Sequence, residues 1–206
     1  KGKCIGTVDI ADTDVNELSN MMVGRPVQLK VDKKDAEPTD AFLKIEGLTV
    51  PSKRHKNNAV KDVSFEVRRG EIVCVAGIDG NGQTELINAL TGLEKPSGGK
   101  ITLGGRDITK LSVRKRGNAG MSHIPEDRHK YGLILDFSLQ ENLVLQRYYE
   151  PRFQKLGFIR REAVREYADE LIERFDVRSG QGADTKVRSM SGGNQQKAII
   201  AREIDR

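Results

Sequence analysis

The sequence has no Trp, and aromatic residues make up only 5% of it. So few rings cannot build the stacking platform that holds single-stranded nucleic acid. Only two cysteines occur, Cys4 and Cys74, which excludes a disulfide-rich scaffold and a cysteine-based zinc site. Long apolar runs are also lacking: nothing approaches the ~18 consecutive apolar residues of a membrane-spanning helix. The start, Lys1-Gly2-Lys3-Cys4-Ile5-Gly6, turns acidic at once and does not read as a signal peptide. It has no initiator Met, so a piece cut from a longer chain is expected. Nor is there a large excess of one charge. The 35 Lys and Arg stand against 30 Asp and Glu, a balance of +5. The basic residues are interleaved with acids and read as a solvated surface, whereas nucleic acid needs a clustered basic face. What remains is a polar globular composition, 36% hydrophobic and 32% charged. Its 206 residues suffice for one ordinary domain, or a domain with an appendage. Cys74 lies in an apolar run, so a buried free thiol in a reducing, cytosolic compartment is expected.

The chain divides by pattern. Lys3 to Asp9 alternates weakly as a short strand, and a helix fits Val15 to Val23, with Thr13 or Asp14 as N-cap and Gly24 as its stop. Residues 30–40 carry charges and Pro38 but little apolar content, and read as a linker. Strands are expected at Phe42 to Val50, Val60 to Val67, Lys100 to Leu103 and Met121 to Ile124. Glu71 to Ala76 reads as a buried strand, and Thr84 to Thr91 as a helix. Ser138 and Glu141 have capping-box spacing. From Arg160 to Phe175 the positions Ala163, Val164, Tyr167, Ala168, Leu171, Ile172 and Phe175 form one apolar stripe of a core-facing helix. A last helix is expected from about Gly193 to Ile204.

The sharpest motif is Gly77-Ile78-Asp79-Gly80-Asn81-Gly82-Gln83-Thr84. It follows the phosphate-binding pattern G-x-x-x-x-G-K-[ST], except that Gln83 stands where Lys belongs. Glycines let backbone N–H groups curl around phosphate oxygens, and the following helix adds its dipole. Asp79 and Asn81 share the loop, and Thr84 could offer a hydroxyl to Mg²⁺. Gln83 is neutral, so it lacks the charge that stabilises a transferring phosphoryl group. Nucleotide binding is compatible with this loop; fast hydrolysis is not expected.

A second motif is Ser191-Gly192-Gly193-Asn194-Gln195, ahead of the apolar helix. It combines an N-cap serine with two glycines that expose backbone amides, another anion-binding helix start. With both motifs in one chain, the sequence resembles the nucleotide-binding domain of an ABC transporter. Ser191 to Gln195 resembles the family's signature, with Asn194 inserted before Gln195. Ile124-Pro125-Glu126-Asp127-Arg128 falls where the family's Q-loop lies, with Glu126 in the Gln position. That stretch, followed by Gly132-Leu133, resembles the second nucleotide-binding domain of tandem ATPases in simple-sugar and nucleoside importers. A P-loop without its Lys is typical of that second domain.

The resemblance implies an α/β P-loop NTPase fold with a RecA-like core, an antiparallel β subdomain and a helical subdomain. It implies residues 1–29 as the tail of a preceding nucleotide-binding domain, 30–40 as a linker and 41–206 as a second domain. Within the latter, 41–135 would be core and β subdomain and 136–190 the helical subdomain. The chain ends at Arg206, before the place where the family's Walker B would fall. The implied cofactors are ATP and Mg²⁺, held by Gly77, Asp79, Gly80, Asn81, Gly82, Gln83 and Thr84, with Thr84 and Glu126 near the metal. Ser191, Gly192, Gly193 and Gln195 would complete the other domain's ATP site in trans. The implied partners are the other nucleotide-binding domain and transmembrane permease subunits, at the cytoplasmic face of the membrane and without nucleic acid. Leu139 to Phe175 and the loop around Glu126 would meet the permease. No Tyr or Phe occurs between Pro51 and Lys61, where the family stacks a ring on adenine. His55 or Arg54 could substitute, or the segment is a surface loop. His123 and His129 read as local polar residues rather than metal ligands. Two rivals stay open: a regulatory module that binds nucleotide without hydrolysing it, and a soluble ATPase acting on nucleic acid. The second lacks the expected coiled-coil or basic insertion between Gln83 and Ser191.

Overall fold

The computed structural model describes residues 4–24, 26, 33–53 and 57–205. Helix α1 spans Val15–Val23. Asp14 is its N-cap, accepting from the Glu17 N–H at 2.7 Å, and Gly24 ends it in the left-handed region at φ 77°. None of its residues is buried. Residues 4–9 and 33–39 form no regular element, so the short strand expected near the start is absent from the described part. Residues 30–32 of the expected linker lie outside the described residues.

Four antiparallel strands follow: β1 (Ala41–Pro51), β2 (Asn58–Arg68), β3 (Gly98–Leu103) and β4 (Arg106–Asp107). They are ordered β2-β1-β3-β4. An irregularity in register between Ile45 and Leu48 brings Ile45, Leu48 and Val50 of β1 into one core with Ile101 of β3. Helix α2 (Gln83–Thr91) covers that face with Leu86, Ala89 and Leu90. Gly99 sits at φ 92°, and a Cβ there would stand 2.6 Å from the Gly47 backbone, so β3 crosses β1 too closely for any side chain. From within α3 (Val113–Asn118), Arg116 turns into this core. It is 2% exposed and donates to the carbonyls of Ala89 and Leu90 at 2.6 Å and of Thr109 at 2.8 Å. With Nε donating to the Leu111 carbonyl at 3.0 Å, each guanidinium nitrogen meets a carbonyl, which lets the group be buried. The reading of the scattered basic residues as solvated surface therefore fails at Arg116.

A second core is helical. Its elements are α4 (Leu139–Val144), a minimal hairpin of β5 (Gln154–Lys155) and β6 (Phe158–Ile159), α5 (Arg161–Arg174) and α6 (Gly192–Ile204). The capping box forms at α4: Glu141 Oε2 accepts from the Ser138 N–H at 2.7 Å, and the Glu141 N–H reaches Ser138 Oγ at 3.4 Å. The α5 stripe is buried through Val164, Tyr167, Ala168 and Leu171, with Ile172 and Phe175 packed at its edge. The Phe153 and Tyr167 rings lie 5.0 Å apart. Ala198 and Ile199 of α6 close this core.

Two further expected strands do not form. Glu71 to Ala76 pairs with no strand among the described residues, and its apolar side chains are open: Ile72 is 86% exposed and Cys74 is exposed. A fully apolar strand is buried only where neighbouring strands and covering helices flank it. Here none is in place, so the expected buried thiol is corrected to an exposed one. Met121 to Ile124 also has no ladder. It is tied to the end of α6, where Ser122 Oγ donates to the Glu203 carbonyl at 2.7 Å.

Candidate functional site

The glycine loop enters from the open 71–76 segment and ends at α2. Gly80 and Gly82 take φ of 86° and 97°. A Cβ on Gly82 would strike the Ala59 carbonyl of β2, so the loop is braced against the sheet and only glycine fits. The N-cap of α2 is Gly82, and no side chain caps the helix. Its first-turn N–H groups stay available to an anion, the arrangement that binds phosphate. The residues present thus suit a phosphate chain.

Gln83 folds back over this loop. Its Nε2 donates to the Ile78 carbonyl at 3.2 Å, and its amide lies where a Cβ on Gly77 would be. The side chain in the lysine position therefore braces the loop from within. A cleft of about 800 Å³ opens between the loop and β2. Gly77, Gly80, Asn81, Gly82 and Gln83 line it, while Asp79 and Thr84 are exposed outside its lining. Lys61 of β2 also lines the cleft and brings a positive charge to it. The sequence pattern did not single out Lys61, because only the fold of β2 against the loop brings it there. Arg54 and His55, considered for adenine, lie outside the described residues.

The second motif opens elsewhere. Ser191 is the N-cap of α6, yet its side chain makes no cap to the helix's own N–H groups. Gly193 faces open space: a Cβ added there meets nothing within 4 Å. Gly192 is covered by Arg128, whose Nη2 lies 2.9 Å from the Cβ position. The Arg128 Nε is buried without a hydrogen-bond partner. Gln195 turns inward. It is 4% exposed, its Nε2 donates to the Val187 carbonyl at 2.9 Å, and its Oε1 lies 2.8 Å from His129 Nε2. It holds the loop from behind and does not face a ligand. A cleft of about 410 Å³ is lined by Ser191, Gly193, Asn194 and Lys197. It shares no lining residue with the cleft of the glycine loop.

Between the two lies the turn that holds Glu126 and the histidines. A single π-turn covers Arg128–Gly132 and is capped by Asp127, which accepts from the His129 and Lys130 N–H groups at 2.9 and 3.0 Å. Those N–H groups, Lys130's first, hold the Asp127 carboxyl below its ordinary range. A Cβ on Gly132 would meet Ile199 Cδ1 at 2.7 Å, so the turn is pressed onto α6. Glu126 is exposed and lines neither cleft. His123 is half-buried, its imidazolium disfavoured by that burial, and its backbone N–H donates to Glu203 Oε2 at 3.3 Å. No group of three or more His, Cys, Asp and Glu side chains that could hold a metal ion occurs among the described residues.

The profile of the ABC transporter family matches residues 60–206. This chain belongs to the ABC transporter family. It is 49% identical over 206 residues to the guanosine import ATP-binding protein NupO of Bacillus subtilis (strain 168), covering 100% of this chain and 40% of the relative. It is also 49% identical to the nucleoside import ATP-binding protein NupA of Lactococcus lactis subsp. cremoris, with the same coverage. The ribose import ATP-binding protein RbsA of Clostridium tetani is 37% identical over 205 residues, 98% of this chain and 39% of that protein. The chain thus spans about 40% of the length of the curated relatives it matches. Among solved structures, an ABC cassette in a post-hydrolysis dimer with ADP and Pi superposes with a TM-score of 0.61 at 24% identity, over 79% of this chain and 69% of that one. A second ABC transporter cassette gives 0.63 at 23%, over 81% and 65%. The expected α/β P-loop NTPase class, with its antiparallel sheet and helical part, is therefore the fold of this ABC family member. No helix among the described residues is long and apolar enough to cross a membrane.

Proposed function

We propose that the chain is the second nucleotide-binding part of the ATP-binding subunit of an ABC importer. In this reading residues 1–29 close a preceding nucleotide-binding domain, 30–40 link, and 41–206 belong to the second. The observation that carries the proposal is the separation of the two loops. The glycine loop and the signature open on different clefts, so neither cleft holds both halves of a phosphate site. Each then needs the opposite loop of another domain, and ATP with Mg²⁺ lies between the two. Ser191, Gly192 and Gly193 complete the partner domain's site, where hydrolysis occurs, and Gln195 holds their loop. The site at Gly77 to Thr84 binds nucleotide through backbone N–H groups, with Lys61 beside it, and turns it over slowly. Gln83 supports that asymmetry, because its amide is hydrogen-bonded inside the loop and carries no charge. When bound, Mg²⁺ screens the phosphate charge; Thr84 and Glu126 are the oxygen ligands this chain offers.

The solute is a nucleoside in preference to a simple sugar. Support comes from the names of the two relatives at 49% identity, against 37% for the ribose importer. The subunit works at the cytoplasmic face of the membrane. A groove of about 580 Å³ lined by Phe137, Val144, Leu145, Tyr148 and Ile159 gives a permease an apolar seat next to α4. The test is Gly192→Glu in the complete subunit assembled with its permease. A carboxylate on the signature loop repels a γ-phosphate, so transport ATPase is expected to vanish. Retained activity overturns the trans role.

A further inference from the structure

Asn194 is the residue that departs from the plain signature pattern, and its amide is held by two bonds of fixed sense. The Arg178 backbone N–H can only donate, so the oxygen of Asn194 must face it, and Oδ1 accepts there at 2.9 Å. That leaves Nδ2 on the other side, where it donates to Ser191 Oγ at 3.0 Å. The sense of this second bond matters. A serine hydroxyl has one proton to give and lone pairs to receive with. Since the Asn194 amide donates to Oγ, the Ser191 proton points elsewhere. Ser191 is exposed, and its Oγ does not accept from the first turn of its own helix although it occupies the N-cap. The hydroxyl is therefore polarised as an acceptor on its inner side and free as a donor on its outer side. Arg178 is in turn anchored near α6, because the Lys197 ammonium grips Asp176 at 2.8 Å and the Asp176 carbonyl at 2.7 Å.

We propose that Asn194 is a positioning residue that orients the Ser191 hydroxyl to donate its proton to an anionic phosphate oxygen arriving from outside the chain. The proposal rests on the reading of the signature as half of a site completed in trans. Asn194 itself need not touch the nucleotide. It fixes the hydroxyl's direction before the phosphate arrives, which removes the rotor freedom that would otherwise be lost on binding. A hydrogen bond to a charged oxygen is worth about 1.5–3 kcal/mol, or roughly tenfold and upwards in rate or affinity.

The experiment is a double-mutant cycle on steady-state ATPase in the complete subunit with its permease, reading kcat and KM for ATP with Mg²⁺. Ser191→Ala is expected to lower kcat/KM by about tenfold or more. Asn194→Ala should cost less, because a free hydroxyl can still find the phosphate. Asn194→Asp should cost more than Asn194→Ala, since its second carboxylate oxygen accepts the hydroxyl proton and removes it from the phosphate. With Ser191→Ala as background, Asn194→Ala should add no further loss, because Asn194 acts only through that hydroxyl. Two outcomes overturn the proposal while leaving the trans reading intact: Asn194→Asp with wild-type kinetics beside an impaired Ser191→Ala, or losses that multiply in the Ser191→Ala and Asn194→Ala double variant. If Gly192→Glu and Ser191→Ala both leave ATPase intact, the trans reading itself falls and the role of Asn194 with it.

Discussion

Replacing Gly193 by Ala separates structure from function at the signature loop. The site for the new methyl group is empty, with nothing within 4 Å of the added Cβ, and Gly193 is not one of the positive-φ glycines. It lies in the first turn of α6, so the fold should accept alanine without strain. Glycine costs roughly 0.5–1 kcal/mol against alanine inside a helix, so the variant should be as stable as the parent or slightly more so. Activity should move the other way. A methyl group on an exposed face where a phosphate must approach backbone N–H groups adds bulk at hydrogen-bond range. Losing even one charge-assisted contact of about 1.5–3 kcal/mol cuts the rate tenfold or more. The assay pairs steady-state ATPase of the complete subunit and permease with a thermal melt of the same preparation. A melting temperature that holds or rises, beside a rate that falls at least tenfold, matches the reasoning. A lowered melting temperature would trace the loss to a damaged loop, and unchanged ATPase would mean that no ligand approaches Gly193; either refutes the argument. Gly192→Ala is the contrasting control, because its methyl group runs into Arg128 at 2.9 Å and must displace a guanidinium.

The remaining predictions concern what holds the site in place. Glu203 is 3% exposed and binds Arg202 at 3.0 Å and Gln146 Nε2 at 2.7 Å. Glu203→Ala leaves the buried Arg202 without its charge partner, a loss of about 3–5 kcal/mol. It should appear as a clear drop in thermal midpoint and faster proteolysis around residues 121–123, and an unchanged midpoint would remove Glu203 from the framework. At α4, Ser138→Ala breaks the capping box and should cost about 1 kcal/mol in the same melt. It should also alter the acid limb of stability. The Ser138 N–H and hydroxyl lower the Glu141 pKa below its usual value. Protons therefore bind the unfolded chain more readily, and this contribution is present above the unfolded pKa and fades as pH falls through the lowered folded value. The variant keeps the residue-138 N–H and loses only the hydroxyl's share, so it should lose slightly less stability than the parent over that acidic range, and parallel profiles would assign the lowered pKa to the N–H alone.

Much of the molecule is written in local pattern. The alternation of β1 and β2, the apolar stripe of α5, the capping box at Ser138 and the Gly24 stop need only near neighbours to form, because period and capping act over a few residues. Both glycine motifs are legible for the same reason: they announce backbone N–H groups at helix starts. What the sequence could not disclose depends on partners far along the chain. Glu71 to Ala76 has the composition of a buried strand, but composition supplies no adjacent ladder, and the segment with Cys74 stays open. Gln195 looked like a ligand-facing signature residue, yet His129, far earlier in sequence, meets it at 2.8 Å and turns it inward. Arg116 reads as surface charge until the carbonyls of Ala89 and Leu90 are brought around it. By itself, then, the sequence determined the long strands and most of the helices, the two glycine loops and the neutral Gln83. Tertiary structure alone decided that these loops open on separate clefts, that the Asn194 amide is held between Arg178 and Ser191, and that Lys61 stands by the glycine loop. Helix periods and caps are short-range physics, whereas the facing of a side chain depends on what packs behind it.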